Sequence, residues 1–511
     1  MEKHVLVLNM GMKSIRSIIF DSRGNKLSSA SRPLTTGLNE KQVFQDPNEW
    51  WNSAAVVIRE SLFPLKNIKI DYLTVTSSAS CLVYVDRECN PLDMCIMVSD
   101  KRSEEEKKRI AAARSIGLFA DSETIDISVG AMLSKMLWVR EKQPDIFQKV
   151  YKFLSPNDFL IAKMTGSFVT DGFNASKCLY DVETKRYPEA LLDELKIGVE
   201  LLPGVVDIGT NVGNLTAAAA NHLGLSQSVE VVITTYDAIC SFFGSGVTQE
   251  GDASDVSGTV TVLRALSYRD NLLPNSKVFN VRHPQKQLHI VGGSNNLGGG
   301  LIEWTKQCLY SREEFPYEMM EQEAAQSTVG AYGLIFLPYL LGERAPIWDS
   351  TVRGMFFGLE RYHTRKDIVR AIFESTGFID MDFIQEIENT GVKINSIRLS
   401  GGLARVPLIS QIKADVTGRD ILVLSEFETT SSGAAMMVLE AVGVFSDMEE
   451  AAKYFAKVRM IIKPDIQNHN QYQKVYQFFK DIYRSTAELF RQRDALYHEM
   501  YPSRDYRTEN L

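Results

Sequence analysis

The chain has 511 residues, more than the roughly 250 to 300 at which a single hydrophobic core stops growing, so two domains are the simplest expectation. Its net charge of −8, with 44% hydrophobic and 23% charged residues, is ordinary for a globular protein and offers no basic surface for nucleic acid or an anionic membrane. The apolar run in MEKHVLVLNMG is too short for a secretory or membrane-spanning segment, and we expect a cytoplasmic protein. Six cysteines without a CxxC pair and seven histidines without an HExxH motif indicate neither a zinc site nor a disulfide framework.

Apolar, β-rich runs alternate with amphipathic helical patterns along the chain, which favours an α/β architecture. Residues 5–8 and 15–20 predict a hairpin around a glycine turn. Residues 255–265 predict a second such hairpin, followed by a strand at 288–291. Two halves that each open on a glycine-turned hairpin indicate a duplicated fold.

The domain boundary is expected in the polar, glycine-containing stretch 245–252, which gives domains 1–246 and 247–511. Apolar and aromatic residues at helical spacing over 467–493 predict a long terminal helix. The last eleven residues, YPSRDYRTENL, are expected to fray.

The first chemistry-bearing stretch is LNMGMKSIRSIIFD, residues 8–21, in which a tight turn at Gly11 joins two strands. It resembles the first phosphate-binding hairpin of the FGGY carbohydrate kinases and of the wider actin-like ATPase superfamily, where backbone amides of the turn approach phosphates. The resemblance implies nucleotide contacts from Gly11, Ser14 and Arg16. Asn9 and Met12 depart from it, because the family has a magnesium-holding acidic residue and a threonine at these places.

Asn9 still offers an amide oxygen to a hydrated cation, but it supplies no negative charge, so a lower metal affinity or rate is expected. Lys13 is either a phosphate contact that replaces part of this loss or a solvated surface lysine. The resemblance therefore places Mg²⁺ weakly at Asn9 and also at Asp237.

The loop TSSASCLVYVD resembles the family's sugar-recognition loop without its diagnostic residues, which are Met-His in xylulose kinases and Arg-Glu in glycerol kinases. Ala79 and Ser80 stand there instead. The hydroxyls of Ser78 and Ser80 suit hydrogen bonds to a sugar, and the small side chains, including Ala79, leave room for a larger or differently substituted substrate. Asp100 and Arg102 follow in SDKR, which lacks the family's tryptophan. The resemblance implies that Asp100 accepts sugar hydroxyl bonds and that Arg102 holds Asp100.

Asp237 follows an apolar strand and opens a helix of small and apolar residues. By position alone it is either a helix N-cap or a functional carboxylate. The FGGY motif has an aspartate here that acts as general base on the sugar hydroxyl, and it is the candidate catalytic residue. Thr234, Thr235 and Tyr236 stand where the family usually has Gly-Gly before this aspartate, and their bulk is expected to reshape the substrate pocket.

Three later stretches resemble the family's nucleotide-binding segments: DVSGTVTVL, the second phosphate hairpin; GGSNNLGGGLIEWTKQ, a glycine cluster before a helix; and LSGGLARVPLISQIKADVTG, the adenosine motif. Each is a weak signal alone, since glycine turns between strands and helices occur in many α/β proteins. The nucleotide contacts that these stretches imply are Gly258, Thr259, Gly299, Glu303, Gly401, Gly402, Leu403 and Val406.

The stretch GMFFGLERYHTRKDIVRAIFE, residues 354–374, places glycines on both sides of a buried strand-like Met-Phe-Phe segment. Thr364 then caps a helix with apolar residues at helical spacing. This pattern is either core packing or the second FGGY signature, which it resembles. The preceding loop LPYLLGERAPIWDSTVRG resembles the glycine-bounded ER-P loop of xylulose and gluconate kinases.

The resemblance extends over nearly the whole chain and implies an α/β, two-domain actin-like ATPase (ribonuclease H-like) fold with a duplicated core and an interdomain cleft. It implies a kinase that uses ATP and Mg²⁺ to phosphorylate a small ketose, polyol or aldonate, with a ketopentose such as xylulose favoured and gluconate as the nearest rival. The departures at Asn9 and Met12 leave open a catalytically weak member that binds a sugar or nucleotide for regulation. The expected partner is a small-molecule substrate, without nucleic acid or membrane, and a homodimer is one assembly that this interpretation allows.

Overall fold

The computed structural model describes residues 2–39, 41–65, 68–115, 131–275 and 277–501. The chain forms two compact units. The first unit contains the chain up to Gly246 together with Arg282–Gln287 and Glu428–Ala456, and the second contains Val247–Val281, Leu288–Phe427 and the chain from Lys457. One change of unit thus falls at residue 246, and two later segments return to the first unit, which the sequence analysis does not predict.

Up to residue 246 the elements are β1 His4–Met10, β2 Ser14–Asp21, β3 Lys26–Pro33, β4 Gly37–Asn39, β5 Gln42–Gln45, α1 Pro47–Leu62, β6 Tyr72–Ser77, β7 Val83–Val85, β8 Cys95–Ile96, α2 Glu104–Ser115, α3 Ala131–Lys142, α4 Pro144–Phe147, β9 Lys152–Leu154, α5 Pro156–Thr165, β10 Val169–Asp171, α6 Gly172–Ala175, α7 Glu189–Glu194, β11 Gly204–Val206, β12 Asn211–Asn214, α8 Ala217–Leu223, β13 Glu230–Val232 and α9 Asp237–Gly244. After it they are β14 Asp252–Ser257, β15 Thr261–Ser267, β16 Phe279–Arg282, β17 His289–Ser294, α10 Gly299–Leu309, α11 Pro316–Ala325, β18 Ile335–Leu337, β19 Met355–Phe357, α12 Arg365–Glu388, β20 Ser396–Gly401, α13 Pro407–Thr417, β21 Asp420–Leu424, α14 Thr429–Ala441, α15 Met448–Phe455, β22 Val458–Ile462 and α16 Ile466–Met500. Short 3₁₀ helices lie at Ser176–Cys178, Val199–Leu201, Ala331–Gly333 and Leu403–Arg405.

The main sheet of the first unit has the strand order β12-β13-β6-β1-β2-β3. Strands β1 and β2 pair antiparallel, and the amide of Gly11 donates to the carbonyl of Ser14 at 3.0 Å to close their turn. Strand β1 also pairs parallel with β6. Because β1 lies between two strands and carries an unbroken apolar run, its residues from Val5 to Leu8 are fully buried. The predicted first hairpin is confirmed.

The main sheet of the second unit has the order β16-β17-β15-β14-β20-β21-β22. Strands β14 and β15 form the predicted second hairpin, and β14 pairs parallel with β20. The strand predicted at 288–291 is β17. Each unit thus builds its sheet from a hairpin whose first strand pairs parallel with a later strand, which confirms the duplicated core.

The predicted terminal helix is α16, which begins at Ile466 and runs seven residues beyond the predicted end at 493, to Met500. It packs Tyr472, Tyr476 and Phe479 into the core of the second unit. The predicted fraying concerns residues 501–511, of which residues 502–511 lie outside the described residues. No helix in the described part of the chain is both long and apolar enough to cross a bilayer.

The segment 355–357 forms strand β19, but it is not buried as expected. It pairs only with β18 at the edge of a two-stranded sheet, so Met355 and Phe356 are half-buried and Phe357 is 42% exposed. Thr364 begins α12 as predicted, since its backbone N–H and its hydroxyl both donate to the Asp367 carboxylate, at 2.9 and 3.1 Å.

Helices α9 and α14 cross backbone to backbone within the first unit. A Cβ on Gly244 would lie 1.9 Å from the carbonyl oxygen of Thr429, and one on Gly433 would lie 1.8 Å from that of Cys240. The hydroxyls of Ser241 and Thr429 hydrogen bond at 2.7 Å beside this contact. Only glycine permits so close an approach, which brings α14 into the first unit although it follows most of the second in sequence.

Replacing Gly433 by alanine forces these helices apart, because the added methyl group overlaps a main-chain carbonyl. We expect Gly433→Ala to destabilise the protein by about 2 kcal/mol or more, measured as a fall in Tm. Thr430→Ala, at a half-buried position of the same helix, is the matched control and should change Tm far less. A Gly433→Ala protein as stable as the parent would contradict the close contact.

Candidate active site

The candidate base Asp237 lies where strand β6 and helix α9 meet. Ser78 follows the last residue of β6, and its hydroxyl donates to Oδ2 of Asp237 at 3.1 Å. Asp237 is the first residue of α9, while Tyr236 is the N-cap residue and makes no side-chain capping bond. The carboxylate is half-buried and lies in the first turn of a helix, where the helix dipole favours negative charge.

The bulky residues before Asp237 are turned into the interior. Thr234 and Thr235 are fully buried, and each bonds to a threonine of β6. The side-chain hydroxyl of Thr234 lies 2.9 Å from that of Thr74, and the backbone carbonyl of Thr235 accepts from the hydroxyl of Thr76 at 2.8 Å. Tyr236 is 5% exposed and stacks edge-on against another ring. The Thr234 hydroxyl and the Thr235 carbonyl thus tie the segment before Asp237 to β6, and all three side chains are buried in the interior.

The backbone of the predicted sugar loop is bonded to Lys135 of α3, a residue that the sequence analysis does not single out. Ser80 has a left-handed backbone, φ 61°, and its carbonyl accepts a hydrogen bond from Nζ of Lys135. Lys135 is 2% exposed, and burial lowers its pKa. Ser78 and Ala79 are half-buried, whereas Ser80 is buried, so of the two serines Ser78 is the more accessible.

The carboxylate of Asp100 is already occupied within the protein. It accepts from the backbone N–H of Val43 at 2.6 Å and from the backbone N–H, Nε and Nη2 of Arg102 at 2.8 to 2.9 Å. The side chain of Asp100 is fully buried, and the guanidinium of Arg102 lies over the ring of Trp138. A bidentate Arg–Asp pair of this kind fixes the loop geometry, and any contact with a sugar requires this pair to open.

At the first hairpin, Gly11 and Ser14 are half-buried at the turn and Lys13 is exposed. Arg16 lies directly opposite Asn9 in the register of β1 and β2. Both side chains bond to Glu428, a residue that the sequence analysis does not single out.

At the second hairpin, Gly258 and Thr259 are exposed on the turn between β14 and β15. Three consecutive backbone amides at the start of α10 hold this turn: those of Gly298 and Gly300 donate to the carbonyl of Thr259 at 2.8 and 3.1 Å, and that of Gly299 donates to the carbonyl of Gly258 at 2.7 Å. A Cβ on Gly299 would lie 2.5 Å from that carbonyl oxygen. The glycine cluster therefore supports the hairpin turn through backbone contact.

The end of β20 meets the same hairpin. Gly401 has φ 89°, and a Cβ there would lie 2.4 Å from the carbonyl oxygen of Ser257, whereas Gly402 is exposed and a Cβ would come no nearer than 3.8 Å to it. Leu403 is 2% exposed and belongs to a hydrophobic core cluster, and Val406 is half-buried before α13. The structure thus gathers Gly258, Thr259, Gly299 and Gly401 in the second unit.

Glu303, also predicted near the nucleotide, points from α10 toward solvent. It bonds to Lys306 and to the hydroxyl of Tyr317, and these hydrogen bonds lower its pKa. Its carboxylate is therefore paired on the helix surface.

Three buried charges lie under the second hairpin and were missed from the sequence. Nζ of Lys413 lies 2.6 Å from a carboxylate oxygen of Asp255 and 2.6 Å from one of Asp380, and all three side chains are fully buried. The hydroxyl of Ser257 donates to Asp255 at 2.7 Å, which links the triad to the residue before Gly258. Burial, and then the neighbouring Asp255, raises the pKa of Asp380. The sequence signal was a lysine at a helical position between Ile409, Ile412 and Val416, which are all buried.

Residues 4–244 match the N-terminal domain and residues 256–441 the C-terminal domain of the FGGY family of carbohydrate kinases. A xylulose kinase from Staphylococcus epidermidis is 30% identical over 493 residues, which cover 95% of this chain and 97% of that protein. Among solved structures, a ligand-bound xylulose kinase from Lactobacillus acidophilus has a TM-score of 0.87 at 23% identity and covers 96% of this chain and 99% of its own. A gluconate kinase from the same organism has a TM-score of 0.86 at 24% identity and covers 96% and 100%.

The chain belongs to the FGGY family of carbohydrate kinases. Its fold is the two-domain actin-like ATPase fold that the resemblance implied. The protein is a carbohydrate phosphotransferase of a family that uses ATP, as the resemblance implied.

Gly401 and Gly402 give a matched pair of variants for the role of this turn. Gly401→Ala should destabilise the protein, because it combines a positive φ with a clash against the Ser257 carbonyl, whereas Gly402→Ala should leave Tm unchanged. If the nucleotide approaches the backbone at Gly402, that variant should still bind ADP at least about tenfold more weakly in calorimetry. Normal ADP affinity in Gly402→Ala would remove this residue from the nucleotide site.

The loop after β18 contains a buried carboxylate that should make stability depend on pH. Burial raises the pKa of Glu343 to about 7, although its Oε1 accepts backbone N–H bonds from Asn296 and Arg344, both at 2.8 Å. The folded protein therefore keeps this proton up to about pH 7, while the unfolded chain releases it near 4.3, so the contribution of Glu343 to stability falls as pH rises between these values, by up to about 3 kcal/mol. Compared with the parent, Glu343→Gln should gain Tm between pH 5 and pH 8, and a difference in Tm that does not change with pH would contradict the raised pKa.

Proposed function

We propose that the protein transfers the γ-phosphate of ATP, with Mg²⁺, to a hydroxyl of a ketopentose such as xylulose. The observation that carries this proposal is the contact between Asp237 and the hydroxyl of Ser78, which puts a half-buried carboxylate beside the predicted sugar loop. The 30% identity to a xylulose kinase over 95% of the chain supports the substrate class. The cytoplasmic location and the homodimer stay predictions from the sequence.

In the proposed reaction, Asp237 accepts the proton of the sugar hydroxyl as its oxygen attacks the γ-phosphorus, and the bond between that phosphorus and the ADP oxygen breaks. Ser78 donates to the other edge of the same carboxylate and keeps Asp237 oriented toward the sugar. Lys135 holds the backbone of Ser80 and so keeps Ser78 in place.

Mg²⁺ would neutralise phosphate charge when bound with ATP. Within the described ranges no group of three or more His, Cys, Asp or Glu side chains could hold a metal ion. Mg²⁺ commonly takes only one or two protein carboxylates together with substrate phosphates, and Asp237 fits that requirement in the first unit. Asn9 supplies no carboxylate to this site, and its Nδ2 donates to Glu428 and Ser431.

The substrate is tested by ADP release over a panel of xylulose, ribulose, gluconate and glycerol. We expect the highest kcat/KM with a ketopentose. A preference for gluconate would assign the substrate to the aldonates instead. ADP binding without turnover on any sugar would favour the alternative that the protein binds a sugar or nucleotide for regulation.

Asp237→Asn should fold normally, because asparagine has nearly the same shape and its amide oxygen can still accept from Ser78, and it should lose at least about a hundredfold in kcat. Ser78→Ala, which removes only the bond to Asp237, should lose less. Both are measured as ADP release with the preferred sugar, alongside Tm. Near-normal turnover in Asp237→Asn would show that another group takes the proton.

A further inference from the structure

Four polar side chains meet at the first hairpin, and we call them the hairpin clamp: Asn9, Arg16, Glu428 and Ser431. Nδ2 of Asn9 donates to Oε1 of Glu428 at 3.0 Å and to the hydroxyl of Ser431 at 3.0 Å. The Ser431 hydroxyl donates to the same Oε1 at 3.1 Å, and Arg16 pairs with the other oxygen, Oε2. Asn9 and Glu428 are 419 residues apart in sequence, and both belong to the first unit.

The hydrogen-bond directions explain why position 9 is an amide. Both acceptors that face Nδ2 of Asn9 are oxygens, and one belongs to a carboxylate. Asn9 is 1% exposed, so an aspartate there would bring a second, poorly solvated carboxylate against Glu428, and the Ser431 hydroxyl between them could donate its one hydrogen to only one of the two. The neutral amide is therefore the complement of Glu428.

The clamp engages only Nη1 of Arg16 and leaves its Nε without an acceptor in the described part of the chain. Glu428 engages Nη1, while Nε of Arg16 is buried and has no hydrogen-bond partner among the described residues. A buried guanidinium donor without an acceptor is costly, and a phosphate oxygen is the acceptor that matches it best. Because Glu428 pairs with Nη1, it fixes the orientation of the guanidinium and therefore the direction in which the other N–H donors of Arg16 point.

We propose that Glu428 is a positioning residue of the first hairpin, which aims Arg16 at the phosphates of the nucleotide, and that Asn9 is the neutral partner that its carboxylate requires. The acidic group of this hairpin thus comes from the segment before α14 and acts on Arg16. Asn9 serves the clamp, and its amide is no substitute for a metal ligand. The inference rests on the proposed function only in taking this hairpin as a nucleotide-phosphate site.

The test exchanges the amide of residue 9 and the carboxylate of residue 428. Asn9→Asp and Glu428→Gln are each expected to weaken ADP binding at least about tenfold and to lower Tm, because one places two carboxylates together and the other loosens Arg16. The double variant Asn9→Asp/Glu428→Gln restores one carboxylate and one amide beside Arg16. It should recover ADP affinity to within about threefold of the parent and regain most of the lost Tm. Calorimetry with ADP, with and without Mg²⁺, and thermal unfolding provide both readouts without turnover.

Steady-state kinetics separates positioning from a merely structural role. Glu428→Gln should raise KM for ATP and leave KM for the sugar unchanged, and the double variant should reverse that rise. Strictly additive effects in the double variant would overturn the proposal, since they show no coupling between the two positions. Tighter Mg²⁺-dependent ADP binding in Asn9→Asp alone would also overturn it, because position 9 would then act as a metal ligand. A parent that binds ADP but phosphorylates no sugar would contradict the proposed function and leave this test intact.

Discussion

The backbone contact between α9 and α14 is the constraint on which the candidate catalytic unit depends. Gly244 and Gly433 have no Cβ, so two helices from distant parts of the chain can bring their backbones into direct contact. Helix α9 begins with Asp237, and the residue before α14 is Glu428. Because the helices are in direct contact, the position of the candidate base and the position of the acid that holds Arg16 are mechanically linked.

The second unit holds its hairpin by a different means. The turn at Gly258 is supported from one side by the amides of the glycine cluster and from beneath by the triad of Lys413, Asp255 and Asp380. Burying these charges is costly, and it is tolerated because each carboxylate lies 2.6 Å from Nζ of the lysine. Burial lowers the pKa of Lys413, but the two carboxylates more than reverse this effect and leave it raised. This buried network lies beneath the exposed turn of the second hairpin, where it stabilises one conformation of the turn and leaves the surface of the turn accessible.

Several departures from the family pattern have a local structural explanation. Among the residues that replace the glycines before Asp237, Thr234 adds a side-chain hydrogen bond to Thr74 of β6. Asn9 in place of an acidic residue matches a carboxylate that arrives from Glu428. In both places a residue that departs from the family pattern makes a hydrogen bond to a segment that is distant in sequence.

The sequence by itself determined the features that depend on neighbouring residues. Apolar runs and glycine turns gave both hairpins, helical spacing gave α12 and α16, and the order of short motifs gave the family. Tertiary structure decided which groups contact each of these elements. It occupies the carboxylate of Asp100 with Arg102 and Val43, and it leaves Phe357 at an exposed strand edge. It also buries Lys413 between two carboxylates and brings Glu428 to Asn9, 419 residues away in sequence. The physical reason is that periodicity and turn chemistry act over a few residues, whereas the partner of a buried polar group is chosen by the path of the whole chain.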